Sequence, residues 1–426
     1  MSSTTEIRGL APRDELRPAG EADLSDILAK ANADGDVCYL AGGLTKQDWG
    51  AAPAHLDLLV RTGALSGCTD VDPDNLTLSA MAGTTVAEAR AQAEAVGRIL
   101  PIDPGQPGEA TIGGVVAAGD NGPRAAGYGG LRDVVLGVRA LLADGSAVKF
   151  GGRTMKNVTG YDMTKLFVGS FGALGAITEV TFRLLPRYDS QALLILPLAS
   201  LDDAKRVTAG VLGSYLQPLA LEVVSADALP GGDAAGAGPA GAPVLLAGFG
   251  GHRAAVDRSV REVTETVPGA APRVLHEEEA SAMYGHLADG AAASGGTLAL
   301  RASVPISRTI DVLAAAQTYA AANGLTLGYR AGAARGRVDL TLRGEGTNAA
   351  AGADGGAARF GACPAHLRAQ AVDMGGSLFV TGGAALLPEG YDAWGDAGGA
   401  VAIMRRIKER FDPNGILAPG RFVGGI

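Results

Sequence analysis

Cysteine is scarce. Cys38, Cys68 and Cys363 lie far apart, and no Cys-x-x-Cys pair occurs in the 426 residues. That spacing excludes a zinc ribbon, an iron–sulfur cluster held within this chain and a disulfide scaffold, and it fits a reducing cytosol. Histidine is equally thin, with five residues: His55, His252, His276, His286 and His366. Only His276 and His286 are near each other, and Glu277 to Glu279 between them read as the acidic first turn of a helix rather than as a metal site. No apolar stretch reaches eighteen residues, and the N-terminus carries Glu6, Arg8, Arg13, Asp14 and Glu15 in place of an apolar segment. The sequence therefore predicts neither an export leader nor a membrane span. Basic residues number 36 against 45 acidic ones, a formal charge of -9, with no dense Lys/Arg run. Nucleic acid is not an expected partner.

What the chain has is apolar surface and glycine. Hydrophobic residues make up 47% and charged ones 19%, enough to close large cores. The length predicts two or three domains. Short apolar runs, Val37–Leu40, Leu56–Val60 and Leu76–Ala82, read as strands, and Thr84 or Thr85 caps a helix through Val96. Val134–Ala143 and Ala147–Phe150 form a hairpin around Asp144-Gly145, followed by a strand over Ala176–Leu185. A boundary falls near Arg187.

Beyond it the order is strand Ala192–Leu198, helix Leu201–Ser214, strands Leu219–Ser225 and Val244–Gly250, helix His252–Val267 and strand Arg273–His276. The same βαββαβ order returns as Thr297–Val304, Ser307–Asn323, Leu325–Ala331, Arg337–Arg343, Pro364–Asp373 and Ser377–Thr381, which predicts an internal duplication. Two Ala/Gly-rich inserts, 230–243 and 344–358, have a composition that builds no core and read as mobile loops. A last helix, Gly399–Phe411, leads through the turn Asp412-Pro413-Asn414-Gly415 into an extended tail, Ile416–Phe422. The domains are thus 1–187, 188–398 and the C-terminal segment 399–426.

Glycine occurs 64 times, without a three-residue period, so the excess belongs to loops. Ala41-Gly42-Gly43-Leu44-Thr45-Lys46 after a strand offers backbone amides to an anion, although it matches neither a Gly-x-Gly-x-x-Gly nor a Walker pattern. Pro101–Gly130 holds thirteen Gly or Pro residues, a density that predicts no regular element. Ile112, Val115, Val116 and Ala117 interrupt it as if packed inside, so the segment calls for a large neighbour.

Ala110-Thr111-Ile112-Gly113-Gly114, Gly122-Pro123-Arg124, Tyr128-Gly129, Arg132 to Gly137, Lys156 to Asp162 and Val168 to Glu179 together resemble the vanillyl-alcohol-oxidase (PCMH-type) flavoprotein family, over about 17–187. Within it the segments are most similar to glycolate-oxidase-type FAD-binding subunits. The resemblance implies an α+β fold: a PCMH-type two-subdomain FAD-binding domain, a duplicated ferredoxin-like cap, and a C-terminal tail returning to the FAD domain. It implies FAD with its pyrophosphate on Ala41, Gly42, Gly43, Leu44 and Thr45. Pro104, Gly105, Thr111, Gly113, Gly114, Asn121, Gly122, Tyr128 and Gly129 would wrap the rest of the cofactor, with Ile177 and Arg421 beside it. The first loop contains no histidine, so the flavin is expected to be non-covalent. Arg124, Arg132, Arg153 and Lys156 are candidates to neutralise it. Tyr161 and Asp162 read as a helix start with Asp162 as N-cap, and no catalytic residue is assigned.

Three features depart from the family pattern. The His-rich cap segment of catalytic relatives is missing, Phe171 stands where an acidic residue is common, and Ala418 stands where asparagine is common. The expected role is an FAD subunit beside a catalytic FAD subunit and an iron–sulfur subunit, acting on a small 2-hydroxy acid such as glycolate or D-lactate. The expected place is the cytoplasm, with peripheral membrane association only through partners. One alternative is a self-sufficient flavin dehydrogenase using Arg301, Arg330 or Arg337 for a substrate carboxylate. Another is a scaffold that has lost FAD.

Overall fold

A computed structural model describes residues 5–153, 161–230, 241–269, 271–290, 296–344 and 360–426. The chain divides into two compact units, one of 1–121, 129–187 and 396–426, the other of 122–128 and 188–395.

The first unit begins with a three-stranded parallel sheet in the order Asp14–Leu16, Leu58–Arg61, Cys38–Ala41. The helix Glu21–Asp34 buries Leu24, Leu28 and Ala31 in the same core as Cys38, Leu58 and Val60. A five-stranded antiparallel sheet follows, in the order Cys68–Asp72, Thr77–Met81, Ala176–Arg183, Val135–Leu141, Ala147–Gly151. The Asp144-Gly145 hairpin forms as its sequence requires: Gly145 has φ +82°, and a methyl group there would lie 2.6 Å from Ser25 O. The helix Val86–Ala95 starts in a capping box, with Glu88 N donating to Thr85 Oγ1 (3.2 Å) and Thr85 N to Glu88 Oε2 (2.9 Å).

The expectation that Pro101–Gly130 holds no regular element is corrected. Ile112–Ala118 is a helix with Thr111 as N-cap and Gly119 at φ +68° closing it. Gly113 is required inside it because the neighbouring chain comes close: a methyl group there would lie 2.6 Å from Ala82 Cβ, whereas one on Gly114 would meet only Thr111 Oγ1, at 3.0 Å. The packing of Ile112, Val115 and Val116 into the core outweighs the helix-breaking tendency of glycine, which costs about 1 kcal/mol per residue. Ala125–Tyr128 and Leu131–Val134 add single turns.

The C-terminal helix Ala400–Phe411 is fixed by a buried ion pair. Lys408 Nζ donates to Asp412 Oδ2 (2.5 Å), Ala173 O (2.9 Å) and Leu417 O (2.9 Å). Asp412 also accepts from Ile416 N (3.0 Å) and Leu417 N (2.8 Å). All three ammonium protons and both carboxylate oxygens are therefore used, which is what makes a desolvated pair tolerable. Burial pushes the Lys408 ammonium below its ordinary range, against the pull of Asp412. The tail runs extended only over Ile416 and Leu417, beside Cys38, with Cys38 N donating to Ile416 O and Ala418 N to Cys38 O. It then turns, ending in a short helical turn at Val423–Gly425.

The second unit is an eight-stranded antiparallel sheet with the order Arg273–His276, Ser190–Pro197, Pro243–Gly251, Ala220–Ser225, Leu325–Gly332, Arg337–Gly344, Thr297–Ser303, Ser377–Gly382. Numbered within each repeat, this reads 4-1-3-2 followed by 2-3-1-4. Two ferredoxin-like sheets thus join through their second strands, Glu222 to Val224 pairing with Gly332 to Arg330. Side chains from Leu201–Leu212, Arg253–Glu265, Thr309–Ala322 and Cys363–Asp373 share one core with alternate strand residues, while Glu277–Asp289 packs with Leu193, Val224 and Leu246 of the other face. The Ala/Gly-rich inserts fall almost wholly at 231–240 and 345–359, outside the described residues.

Removing one member of the buried pair strands the other charge. Asp412→Ala should therefore lower the stability of the first unit by about 3 kcal/mol, read by denaturant unfolding, whereas Glu409→Ala on the exposed side of the same helix should cost under about 0.5 kcal/mol. Equal effects would show that the pair contributes nothing beyond helix propensity.

Candidate cofactor cleft

The glycine loop after Cys38–Ala41, the helix Ile112–Ala118, the segment Phe171–Ile177 and the tail at Ala418 and Arg421 line one open cleft. It lies in the first unit. Among the described residues the amides of Gly42, Gly43, Leu44 and Thr45 donate to no backbone carbonyl. Four consecutive donors at a strand end make an anion-binding concavity.

The following six residues are held by two arginines. Arg421 NH1 donates to Trp49 O and to Ala51 O (2.5 Å), and NH2 donates to Lys46 O (3.1 Å) and Gln47 O (3.0 Å). Arg8 NH1 donates to Asp48 O (2.8 Å) and Gly50 O (3.3 Å). Every carbonyl from Lys46 to Ala51 thus accepts from a guanidinium. Arg421 is 2% exposed and also lies over the Phe171 ring, 5.4 Å from its centroid.

Glycine serves close approach within the cleft wall as well as toward a ligand. A methyl group on Gly42 would collide with Thr111 Oγ1, and one on Gly43 with Glu109 O. Gly113 N donates to Ala82 O (2.8 Å) and Gly114 N to Thr111 Oγ1 (3.3 Å). These two glycines therefore present bare surface to the cleft, and their amides are already engaged.

Three non-glycine residues of the lining take left-handed backbone: Leu44 (φ +58°), Phe171 (φ +52°) and Ala418 (φ +43°). Such residues cost about 1–2 kcal/mol each unless they are Asn or Asp, and they gather at ligand sites. This accounts physically for the two departures read from the sequence. Positions 171 and 418 favour a short carboxyl or amide side chain because the backbone there is left-handed.

Of the residues expected at the cofactor, Ala41, Gly42, Gly43, Leu44, Thr45, Thr111, Gly113, Gly114, Ile177 and Arg421 line this cleft. Pro104, Gly105, Asn121 and Gly129 do not; Asn121 accepts from Asp103 N (3.0 Å) and donates to Gly129 O (3.4 Å), tying two glycine-rich stretches together. Gly122 and Tyr128 belong to the second unit, where Arg124 lies 5.3 Å from the Tyr128 ring and 4.9 Å from that of Tyr284. The expected cation cluster is not gathered: Arg132 is exposed, Arg153 pairs with Asp70 at the surface (3.3 Å), and Lys156 lies outside the described residues. Asp162 is not the N-cap of Thr164–Phe167; Met163 holds that position. Arg8 and Lys46 were not singled out as site residues, and only the position of Lys46 at the end of the glycine loop could have flagged it. The Cys38 thiol in the cleft wall is pushed up to about 12 by burial, so it stays protonated and is no nucleophile.

The second unit concentrates arginine on one sheet face. Arg301 and Arg330 stand directly across from Asp339 on its two neighbouring strands. Arg301 Nε (2.6 Å), Arg330 NH2 (2.6 Å) and Arg337 Nε (2.9 Å) all pair with its carboxylate. Burial alone would raise the Asp339 carboxyl; the fields of Arg301, Arg337 and Arg330 override it and hold it well below the usual range. Close by, Glu222 is 1% exposed and 3.5 Å from Arg335. Burial pushes this carboxyl up, against the pull of Arg335, Arg330 and Arg337. His286 Nε2 lies 3.0 Å from Ala228 O, and His366 stacks on Tyr319.

Open amides for a diphosphate, glycine surface for a flat ring system and a cationic tail define a dinucleotide-binding oxidoreductase fold, and these residues fit FAD. Residues 12–151 match the FAD binding domain family and 188–422 the C-terminal domain of FAD linked oxidases. The chain belongs to the FAD-linked oxidase family. It is 45% identical over 122 residues to glycolate oxidase subunit GlcE of Escherichia coli (strain K12), covering 28% of this chain and 35% of that protein. It is 34% identical over 218 residues to the D-lactate dehydrogenase of Archaeoglobus fulgidus, covering 51% and 48%. The matched segments thus span about half or less of these relatives' own length. Among solved structures, p-cresol methylhydroxylase with substrate bound aligns with TM-score 0.73 at 17% identity over 97% of this chain and 89% of that one, a likeness of fold.

Two variants test these assignments. Ala418→Gly relieves a left-handed alanine and should raise stability by about 1 kcal/mol, whereas the same exchange at Ala176, in a strand, should lower it; a loss at both positions would refute strain at 418. Glu222 has its folded-state pKa raised above the ordinary 4.5, so its contribution to stability declines as pH rises from about 4.5 through the raised value. Glu222→Gln should therefore gain melting temperature relative to the parent at pH 8 compared with pH 5. A relative loss at pH 8 would mean that the ion pair with Arg335 outweighs desolvation.

Proposed function

We propose that this chain is the FAD-binding subunit of a 2-hydroxyacid oxidoreductase complex, working beside a catalytic flavoprotein and an iron–sulfur subunit. One observation carries the reading. The arginines that a substrate carboxylate would need on the second unit, Arg301, Arg330 and Arg337, already converge on the internal carboxylate of Asp339. The first unit meanwhile keeps an open cleft lined by the glycine loop and by Gly113 and Gly114. Cofactor binding without an open carboxylate site suits a subunit that takes part in electron transfer rather than one that oxidises substrate alone. The segment similar to glycolate oxidase subunit GlcE supports the same choice.

Bound FAD would supply reversible two-electron chemistry at its ring system. The chain's own contribution is to hold it: the amides of Gly42 to Thr45 receive the diphosphate, Gly113 and Gly114 give close approach, and Arg421 keeps the loop in place. The substrate of the complex is a small 2-hydroxy acid of the glycolate or D-lactate kind. No helix of the described residues is long and apolar enough to cross a membrane, so membrane contact is assigned to the partners and the chain to the cytoplasm. Among the described residues the glycine loop Ala41–Lys46 contains no histidine, and we infer that FAD is held non-covalently.

The chain purified alone should be yellow, should release all its FAD to the supernatant on acid precipitation, and should not bleach with glycolate or D-lactate in the absence of oxygen. Co-expression with the catalytic subunit should restore bleaching. Turnover by the isolated chain would establish the self-sufficient dehydrogenase instead, and a colourless protein that still assembles would establish a scaffold.

A further inference from the structure

Lys46 closes the glycine loop, and the loop's free amides end one residue before it. Its side chain lines the cleft and is 13% exposed. Nζ lies 3.5 Å from Asp120 Oδ2, 3.4 Å from Thr45 Oγ1 and 5.7 Å from the centroid of the Trp49 ring. Asp120 is itself 4% exposed and rigidly placed. Its amide donates to Val115 O (3.2 Å) and that of Gly119 to Val116 O (3.1 Å), closing the helix Ile112–Ala118. The backbone of Lys46 is equally fixed, since its carbonyl accepts from Arg421. Between two fixed backbones, the Lys46–Asp120 separation is set by the side-chain torsions of the two residues.

A separation of 3.5 Å is long for a charge-assisted hydrogen bond, which prefers about 2.7–2.9 Å. The pair is attracted without being tightly bonded, in surroundings where either charge alone would be expensive. A diphosphate arriving on the amides of Gly42 to Thr45 brings a stronger anion to the same ammonium. From this geometry we infer that Lys46 is a cofactor-positioning residue of the diphosphate site, and that Asp120 is its resident counter-ion, which the cofactor diphosphate displaces. Asp120 offsets the charge of Lys46 and weakens diphosphate binding by competing for it. The inference rests on the FAD cleft and adds to it a direct competition between a side chain and the ligand.

The test titrates the full chain, stripped of flavin, with FAD, ADP and riboflavin, followed by flavin fluorescence and by calorimetry at several ionic strengths. Lys46→Met should weaken FAD and ADP about tenfold, flatten the dependence on salt, and leave riboflavin, which has no diphosphate, unchanged. Asp120→Asn should tighten FAD and ADP by a similar factor and steepen the salt dependence. Unchanged FAD affinity in Lys46→Met overturns the inference. So does weaker FAD binding in Asp120→Asn, which would make Asp120 a support for the loop. If Lys46→Met does not fold, as judged by circular dichroism, the direction of change in Asp120→Asn decides the question alone. Failure of the parent chain to bind FAD would instead refute the cofactor cleft, an outcome distinct from the others.

Discussion

The cleft depends on two guanidinium groups dividing six consecutive carbonyls between them. A loop that leaves its amides open for a ligand has no internal ladder to hold it, and each unpaired buried carbonyl would cost free energy. Arg421 takes the oxygens of Lys46, Gln47, Trp49 and Ala51, and Arg8 takes those of Asp48 and Gly50. Arg8 and Arg421 come from distant parts of the sequence, so the binding loop is held only when both segments are in place. The buried Lys408–Asp412 pair acquires a role through this dependence: by fixing Ile416 and Leu417 beside Cys38, it sets where Arg421 begins.

The two units use arginine in opposite ways. In the first, Arg8 and Arg421 hold backbone carbonyls of the loop, while Lys46 lies beside Asp120. In the second, three guanidiniums surround Asp339, and Glu222 lies among the same residues. The sheet face of the second unit thus satisfies its guanidiniums with its own carboxylates.

Much of this fold was legible because strong local signals agreed with the tertiary outcome. Thr84 or Thr85 announced a helix start, Asp144-Gly145 a hairpin, and apolar runs in the second half gave two copies of βαββαβ whose strands lie within a residue or two of their expected ends. The strand Cys68–Asp72 was missed because it is an edge strand with little buried surface and so carries almost no alternation. The helix Ile112–Ala118 was missed because composition forbade it, and the contact with Ala82 that makes glycine necessary is invisible in a linear sequence. Arg8 left no trace at all, since nothing in its neighbourhood distinguishes a surface arginine from one that reaches forty residues ahead. The departures at Phe171 and Ala418 were visible, but their meaning was not. They looked like lost ligand contacts until the backbone angles at both positions proved to be left-handed.

Those angles bear on how the cleft is made. Three left-handed non-glycine residues in one lining cost several kcal/mol together by ordinary expectation, and strain of this kind persists only where the surroundings leave no alternative. The surroundings are specific. Phe171 is held between Arg421 and the Phe422 ring, 6.0 Å away, and Ala418 is bonded to Cys38 on the edge of the parallel sheet. Leu44 is fixed by the loop whose next six carbonyls the arginines hold. Each strained residue is thus held by contacts within the protein itself, and the strain is carried by the packing of the cleft wall.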